Sequence, residues 1–151
     1  MTMTDASHYT MTIAGHRQAA SRSFAVLNPA TEAVVAEAPD CSREQLDEAV
    51  AAARAAFPAW RAKPYAQRQN ALRAIGAALA AHAEELQALL TAEQGKPLAA
   101  AQGEVHAAAW WIGAVADREL PETVSDEMPG QRAITRHVPL GVVGAIVPWN
   151  F

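Results

Sequence analysis

The sequence predicts an α/β fold made of short hairpin strands, three helices and one buried strand, and we expect this fold to be incomplete. Short apolar segments between turn residues come first, amphipathic helical patterns follow, and a continuous β-branched apolar run occupies residues 141–147. Such a run is typical of a strand buried on both faces of a parallel sheet. Because that strand needs hydrogen-bonded neighbours and covering helices, we expect a longer protein, or layers supplied by another chain.

The composition limits the class of protein. Hydrophobic residues make up 51% of the 151 residues and charged residues 19%, which permits a buried core and argues against disorder. The net charge of -4 disfavours a nucleic-acid partner, which would need clustered Lys and Arg. A single cysteine fits a reducing compartment, and the sequence shows neither a secretory signal nor an apolar run long enough to cross a membrane. We therefore expect a cytoplasmic protein without nucleic-acid or membrane partners.

Short strands and turns are predicted before Pro39. Apolar segments at residues 11–13 and 24–27 are separated by a glycine and a polar loop. The sequence Asn-Pro-Ala-Thr at residues 28–31 predicts a turn, since an Asn side chain can accept a hydrogen bond from the backbone ahead of it and Pro fixes φ. A further extended segment follows and ends at Pro39.

The first of three predicted helices begins at Ser42. Ser42 and Gln45 match a capping box, and Cys41 and Leu46 stand at the positions of a hydrophobic staple. Pro58 is expected to end or bend this helix, because proline lacks the amide hydrogen that the preceding turn requires. The apolar stripe of the helix consists of Leu46, Val50, Ala53, Phe57 and Trp60.

Two further helices are predicted before Pro121. The second is predicted as one continuous element over residues 66–94, with Gly95 as its terminating residue. Pro97 favours the first turn of a third helix that ends near residue 120. Their apolar stripes consist of Leu72, Ile75, Leu79, His82, Leu86 and Leu89, and of Leu98, Ala101, Val105, Ala108, Ile112 and Val115.

The last part of the chain is predicted to hold an acidic loop at residues 122–130, an extended segment at 131–140 and the buried strand at 141–147. Asn150 follows that strand directly. Ligands of α/β sheets collect beyond the carboxyl ends of strands, where an Asn amide can donate a hydrogen bond to a developing oxyanion. The alternative is a turn asparagine, and the single motif by itself favours that alternative.

Other residues suited to chemistry have simpler explanations. Cys41 precedes a helix, but no histidine lies nearby in sequence, so a small structural hydrophobe is the favoured interpretation. No G-x-G-x-x-G or P-loop occurs. The histidines share no spacing typical of a metal site. They are His8, His16, His82, His106 and His137.

Five segments together resemble the N-terminal part of the NAD(P)-dependent aldehyde dehydrogenase superfamily. They are residues 28–31 (NPAT), 49–60 (AVAAARAAFPAW), 93–98 (EQGKPL), 103–105 (GEV) and 139–151 (PLGVVGAIVPWNF). The resemblance implies that residues 1–121 belong to a cofactor-binding domain, 122–140 to an oligomerisation domain, and 141–151 to the first Rossmann-like strand and its loop. It also implies a homo-oligomer.

The resemblance implies an activity and a set of site residues. Members oxidise an aldehyde to an acid through cysteine attack, hydride transfer to NAD or NADP, and thioester hydrolysis. Asn150 matches the family's oxyanion-stabilising asparagine. The positions that line the cofactor site correspond to Ile146, Val147, Pro148, Trp149 and Asn150. Cys41 does not match the nucleophile's motif, and the nucleophile, the general base and the ribose-binding residues are expected downstream.

Two peripheral positions depart from the family pattern. Glu32 stands where glycine is usual after NPAT, and Ala14 stands where Asn or Asp is common before Gly15. Two other functions stay open beside an aldehyde dehydrogenase segment that is inactive alone. One is a truncated, non-catalytic assembly partner that binds full-length subunits through residues 131–140, and the other is an independent helical binding module.

Overall fold

The computed structural model describes residues 9–147, without the side chains of residues 125–127. Along the described chain, short strands come first, helices follow, and a β-hairpin comes last. The strands are β1 Met11–Ile13, β2 His16–Gln18, β3 Ser23–Leu27, β4 Val34–Pro39, β5 Thr123–Met128 and β6 Gln131–Thr135. The helices are α1 Arg43–Ala62, α2 Tyr65–Ala81, α3 Ala83–Gln94 and α4 Leu98–Ala116.

The predicted opening strands form two separate antiparallel hairpins, β1–β2 and β3–β4. Ala14 and Gly15 connect the first pair with φ values of 52° and 81°. Two consecutive positive φ values are characteristic of the type I′ turn, whose twist matches that of the flanking strands. Asn and Gly suit such a turn better than alanine does.

The Asn-Pro-Ala-Thr turn between β3 and β4 is confirmed. Asn28 Oδ1 accepts a hydrogen bond from the amide of Ala30 at 2.9 Å, which is the predicted Asn turn. The amide of Asn28 donates to Ala33 O at 2.8 Å and closes the loop. Glu32 adopts φ 58° inside this loop, in the left-handed region where glycine avoids a steric penalty.

The capping box of α1 is also confirmed. The amide of Gln45 donates to Ser42 Oγ at 3.2 Å, and the amide of Ser42 donates to Gln45 Oε1 at 3.1 Å. The predicted staple does not bury Cys41, which is exposed. Pro58 lies inside the helix rather than at its end. The helix can continue past Pro58 because proline removes only one intrahelical bond.

The predicted continuous helix over residues 66–94 is instead two helices, so four helices are described where three were predicted. The break is at His82, whose φ of -105° and ψ of 17° leave the helical region. Backbone bonds continue on both sides, from His82 N to Ala78 O and from Leu86 N to His82 O. The backbone hydrogen bonds thus continue across the break, and both α2 and α3 pack on α4.

Gly95 and Pro97 act as predicted at the α3–α4 junction. Gly95 adopts φ 72° as the left-handed residue that ends α3, and its amide donates to Thr91 O at 2.9 Å. Pro97 immediately precedes α4.

The core is small for the size of the chain. Its buried apolar residues among those described are Ile13, Ala36, Ala101, Val105 and Ala116. The chain exposes 11917 Å², whereas a compact monomer of 16.0 kDa would expose roughly 7,400 Å². Part of the difference belongs to the irregular segment after β6, and part to apolar helix faces that nothing in the described chain covers.

The predicted acidic loop at residues 122–130 is incorrect over most of its length, because β5 occupies Thr123–Met128. This strand pairs with β6, and Met128 and Gln131 face each other across a turn in which Gly130 has φ 81°. The pairing with β6 supplies the backbone hydrogen bonds, so an acidic composition does not prevent a strand here. Arg136 and Glu122 form an ion pair at the open end, with Nε and Oε1 2.6 Å apart.

The strand predicted at residues 141–147 is not observed. These residues have no regular structure, and Ile146 is 99% exposed. A β-strand exists only with a hydrogen-bonded neighbour, and no described segment pairs with this one. Among residues 9–147, no helix is both long enough and apolar enough to cross a bilayer.

Candidate functional site

The residues predicted to line a cofactor site are only partly within the described chain. Ile146 and Val147 are described, and their side chains are 99% and 82% exposed. Pro148, Trp149 and Asn150 lie outside the described residues. The catalytic prediction for Asn150 therefore stays a prediction.

The described residues do not form a site for a nicotinamide dinucleotide. Such a cofactor needs backbone or side-chain donors for its pyrophosphate, at a helix N-terminus beside a strand. Ile146 and Val147 offer only solvated apolar side chains in an irregular segment. No chemical step can be derived through the cofactor from these residues.

Two of the family-like motifs meet at Gly95. A Cβ atom added to Gly95 would lie 2.6 Å from Cγ of Pro29, which belongs to the turn after β3. Real Cβ contacts are not that short, so the proline ring occupies the space that a side chain would need. Position 95 thus requires glycine for two reasons. The backbone has a φ of 72°, and the ring of Pro29 leaves no room for a Cβ atom.

The motif that contains Gly95 also meets a third motif, residues 103–105, in an ion pair. The Lys96 ammonium contacts Glu104 Oε2, and this contact joins the second residue after α3 to the second turn of α4. The Lys96 side chain is only 10% exposed, and that of Glu104 is 39% exposed. Removing one partner of a largely buried pair leaves the other charge without compensation. The pair therefore links α4 to the turn that follows α3.

Side chains of α2 complete the C-terminal end of α4. Tyr65, Gln69 and Arg73 are the hydrogen-bond donors, and because they are spaced four residues apart they lie on one face of α2. The bonds are Tyr65 Oη to Arg118 O, Gln69 Nε2 to Ala116 O and Arg73 Nη2 to Asp117 Oδ1, each 2.7 Å. The last carbonyl groups of a helix have no intrahelical partner, and Gln69 supplies one for Ala116 O. Tyr65 does the same for the carbonyl of Arg118 just beyond the helix, and Arg73 binds the carboxylate of the C-cap residue Asp117. We call these three residues the α4 cap.

The sequence analysis did not identify the α4 cap. The i, i+4, i+8 spacing of Tyr65, Gln69 and Arg73 was visible in the sequence, and it shows that they share a face. Polar side chains on a shared face normally indicate a solvated surface. The spacing could not show that the acceptors of these three side chains lie nearly fifty residues further along the chain.

Apolar grooves border the helices of the described chain. One of about 250 Å³ lies among α2, α3 and α4 and is lined mainly by leucines. The other, of about 340 Å³, lies between Tyr65, Leu72 and Val115 on one side and residues 137–139 on the other. Arg68 lines the second groove, but its Nη1 already donates to Lys63 O at 2.5 Å. Neither groove gathers a nucleophile with a base.

Reactive side chains elsewhere are dispersed. Cys41 is exposed, and its thiol donates a hydrogen bond to the carbonyl oxygen of Ser42 at 3.5 Å. Within the described range, no three His, Cys, Asp or Glu side chains lie close enough to hold a metal ion. A backbone hydrogen bond, followed by one from Ser42, lowers the pKa of Glu44 at the start of α1. That shift belongs to helix capping.

Comparison with known proteins identifies what the motifs have in common. The profile of the aldehyde dehydrogenase family matches residues 16–151. A probable aldehyde dehydrogenase from a Pseudomonas species is 44% identical over 149 residues, which are 99% of this chain and 30% of that protein. A glutarate-semialdehyde dehydrogenase from Pseudomonas aeruginosa is 38% identical over 133 residues, 86% of this chain and 28% of that protein.

Solved structures agree with the sequence relatives. A crystal structure of succinate-semialdehyde dehydrogenase from Burkholderia pseudomallei superposes with a TM-score of 0.79 and 31% identity, covering 89% of this chain and 29% of that one. The chain thus spans less than a third of the length of the relatives that it matches. The family match extends from β2 through the β3–β4 hairpin, the four helices and the closing hairpin, and the chain belongs to the aldehyde dehydrogenase family.

Proposed function

We propose that this chain is a segment of an oxidoreductase that oxidises an aldehyde to a carboxylic acid with NAD⁺ or NADP⁺. The observation that supports the proposal is the family match over residues 16–151. The relatives described above are all named as aldehyde or semialdehyde dehydrogenases. The substrate of this protein is therefore proposed only as a small aldehyde.

The described residues are proposed to act as scaffold rather than as catalysts. The Pro29–Gly95 contact holds the β3–β4 hairpin against the helices, and the ion pair of Lys96 and Glu104 holds α3 to α4. Neither feature includes a nucleophile or a group positioned to transfer a proton. The exposed, isolated position of Cys41 likewise supports a nucleophile located elsewhere in the enzyme.

Asn150 is proposed as the one catalytic residue within this chain. Its side-chain amide would donate a hydrogen bond to the oxyanion that forms when a cysteine thiolate attacks the aldehyde carbon. A donor placed at that oxygen stabilises the transition state more than the neutral aldehyde. Ile146, Val147, Pro148 and Trp149 are proposed to line the adjoining cofactor site.

An activity assay tests the proposal. The purified 151-residue chain is mixed with small aliphatic and semialdehyde substrates and with NAD⁺ or NADP⁺, and absorbance at the reduced cofactor's band is followed. We expect no reduced cofactor to form, while a complete family member under the same conditions is active. If the chain alone reduced the cofactor in the presence of an aldehyde, the proposal that the nucleophile lies elsewhere in the enzyme would be contradicted.

The DNA that follows the codon of Phe151 provides a second, independent test. An open reading frame that continues into a cofactor-binding βα unit and a later cysteine motif would support the proposed reaction. A frame that continues into an unrelated sequence would contradict it.

The exposed strand β6 favours a second candidate function, that of a non-catalytic assembly partner. All five residues of β6 are exposed, and its only described partner is β5. An unpaired strand edge can add to a sheet of another subunit. Co-purification of the chain with a complete family member would support this role, and loss of the complex in an Ile134→Pro variant would locate it at β6. A chain that never forms the complex contradicts it.

A further inference from the structure

We draw no further inference here: the strongest candidate, the outward apolar face of α4 on which Trp110 and Trp111 meet edge to face and stay largely exposed, is an unpartnered helix face, and nothing in the structure shows what covers it.

Discussion

Replacing Gly95 with alanine is expected to destabilise the chain by about 2–5 kcal/mol. Alanine in the left-handed region at φ 72° costs about 1–2 kcal/mol. The new Cβ would also lie 2.6 Å from Pro29 Cγ, and relieving such overpacking costs about 1–3 kcal/mol, because the proline ring has little freedom to move.

Urea unfolding followed by circular dichroism at the helix band measures the effect, at the lowest practical protein concentration. Gly103→Ala is the matched control. Gly103 lies inside α4, and an added Cβ there meets no atom within 4 Å. Alanine is the better helix former by about 1 kcal/mol, so the control is expected to gain stability. The same substitution should thus have opposite signs at the two glycines.

A double-mutant cycle with Pro29→Ala separates the two causes. This variant removes Cγ, so Gly95→Ala in its background should cost only the backbone term of about 1–2 kcal/mol. An equal cost with and without Pro29 would refute the contact as a cause. A cost for Gly95→Ala in the wild-type background below about 1 kcal/mol would refute the left-handed penalty as well.

Four further outcomes are expected. Glu32→Gly should stabilise the chain by about 0.5–1 kcal/mol, because relief of the strain at φ 58° exceeds the extra chain entropy of glycine, and a loss of stability in urea unfolding would contradict this. Ser42→Ala should cost about 1 kcal/mol in the same assay, since the cap for the Gln45 amide is lost, and an unchanged midpoint would show that water replaces it. The chain should self-associate and bind the dye ANS through its uncovered apolar surface, residues 142–147 included, whereas sedimentation as an ANS-silent monomer would refute that reasoning. In the complete enzyme, Asn150→Ala should lower kcat roughly 10²–10³-fold, and an unchanged kcat with chemistry rate-limiting would remove Asn150 from the proposed mechanism.

Features that depend on a few neighbouring residues were predictable from the sequence. The capping box of Ser42 and Gln45, the turn at Asn28 and the left-handed end of α3 at Gly95 all formed as predicted. In each case the donors, acceptors and φ preference lie within five residues, so the sequence contains the whole interaction.

Features that depend on distant partners were not predictable. His82 interrupts a helical pattern without glycine or proline, and the two helices that it separates each pack on the distant α4. Strand β5 lies in an acidic stretch whose partner β6 decides its conformation. The apolar run at residues 141–147 has strand composition but no described neighbour, and composition does not supply hydrogen bonds.

The candidate site likewise has features that were predicted before the structure was known and features that only the structure revealed. Asn150 and the cofactor-lining positions rest on resemblance, because an oxyanion donor is recognised by what it faces rather than by its own residue type. The Pro29–Gly95 contact and the ion pair of Lys96 and Glu104 became visible only when the structure placed the motifs together. Three motifs that identify the family thus serve packing in this chain.

The α4 cap also fixes the rotation of α2 about its own axis. One residue inserted between Tyr65 and Arg73 would turn the later donors by about 100° and move them about 1.5 Å along the axis, away from their acceptors at the end of α4. Substitutions on the solvent side of α2 leave this alignment intact. The segment is therefore expected to tolerate changes of residue type far better than changes of length, and it would be a poor place for an inserted tag or linker.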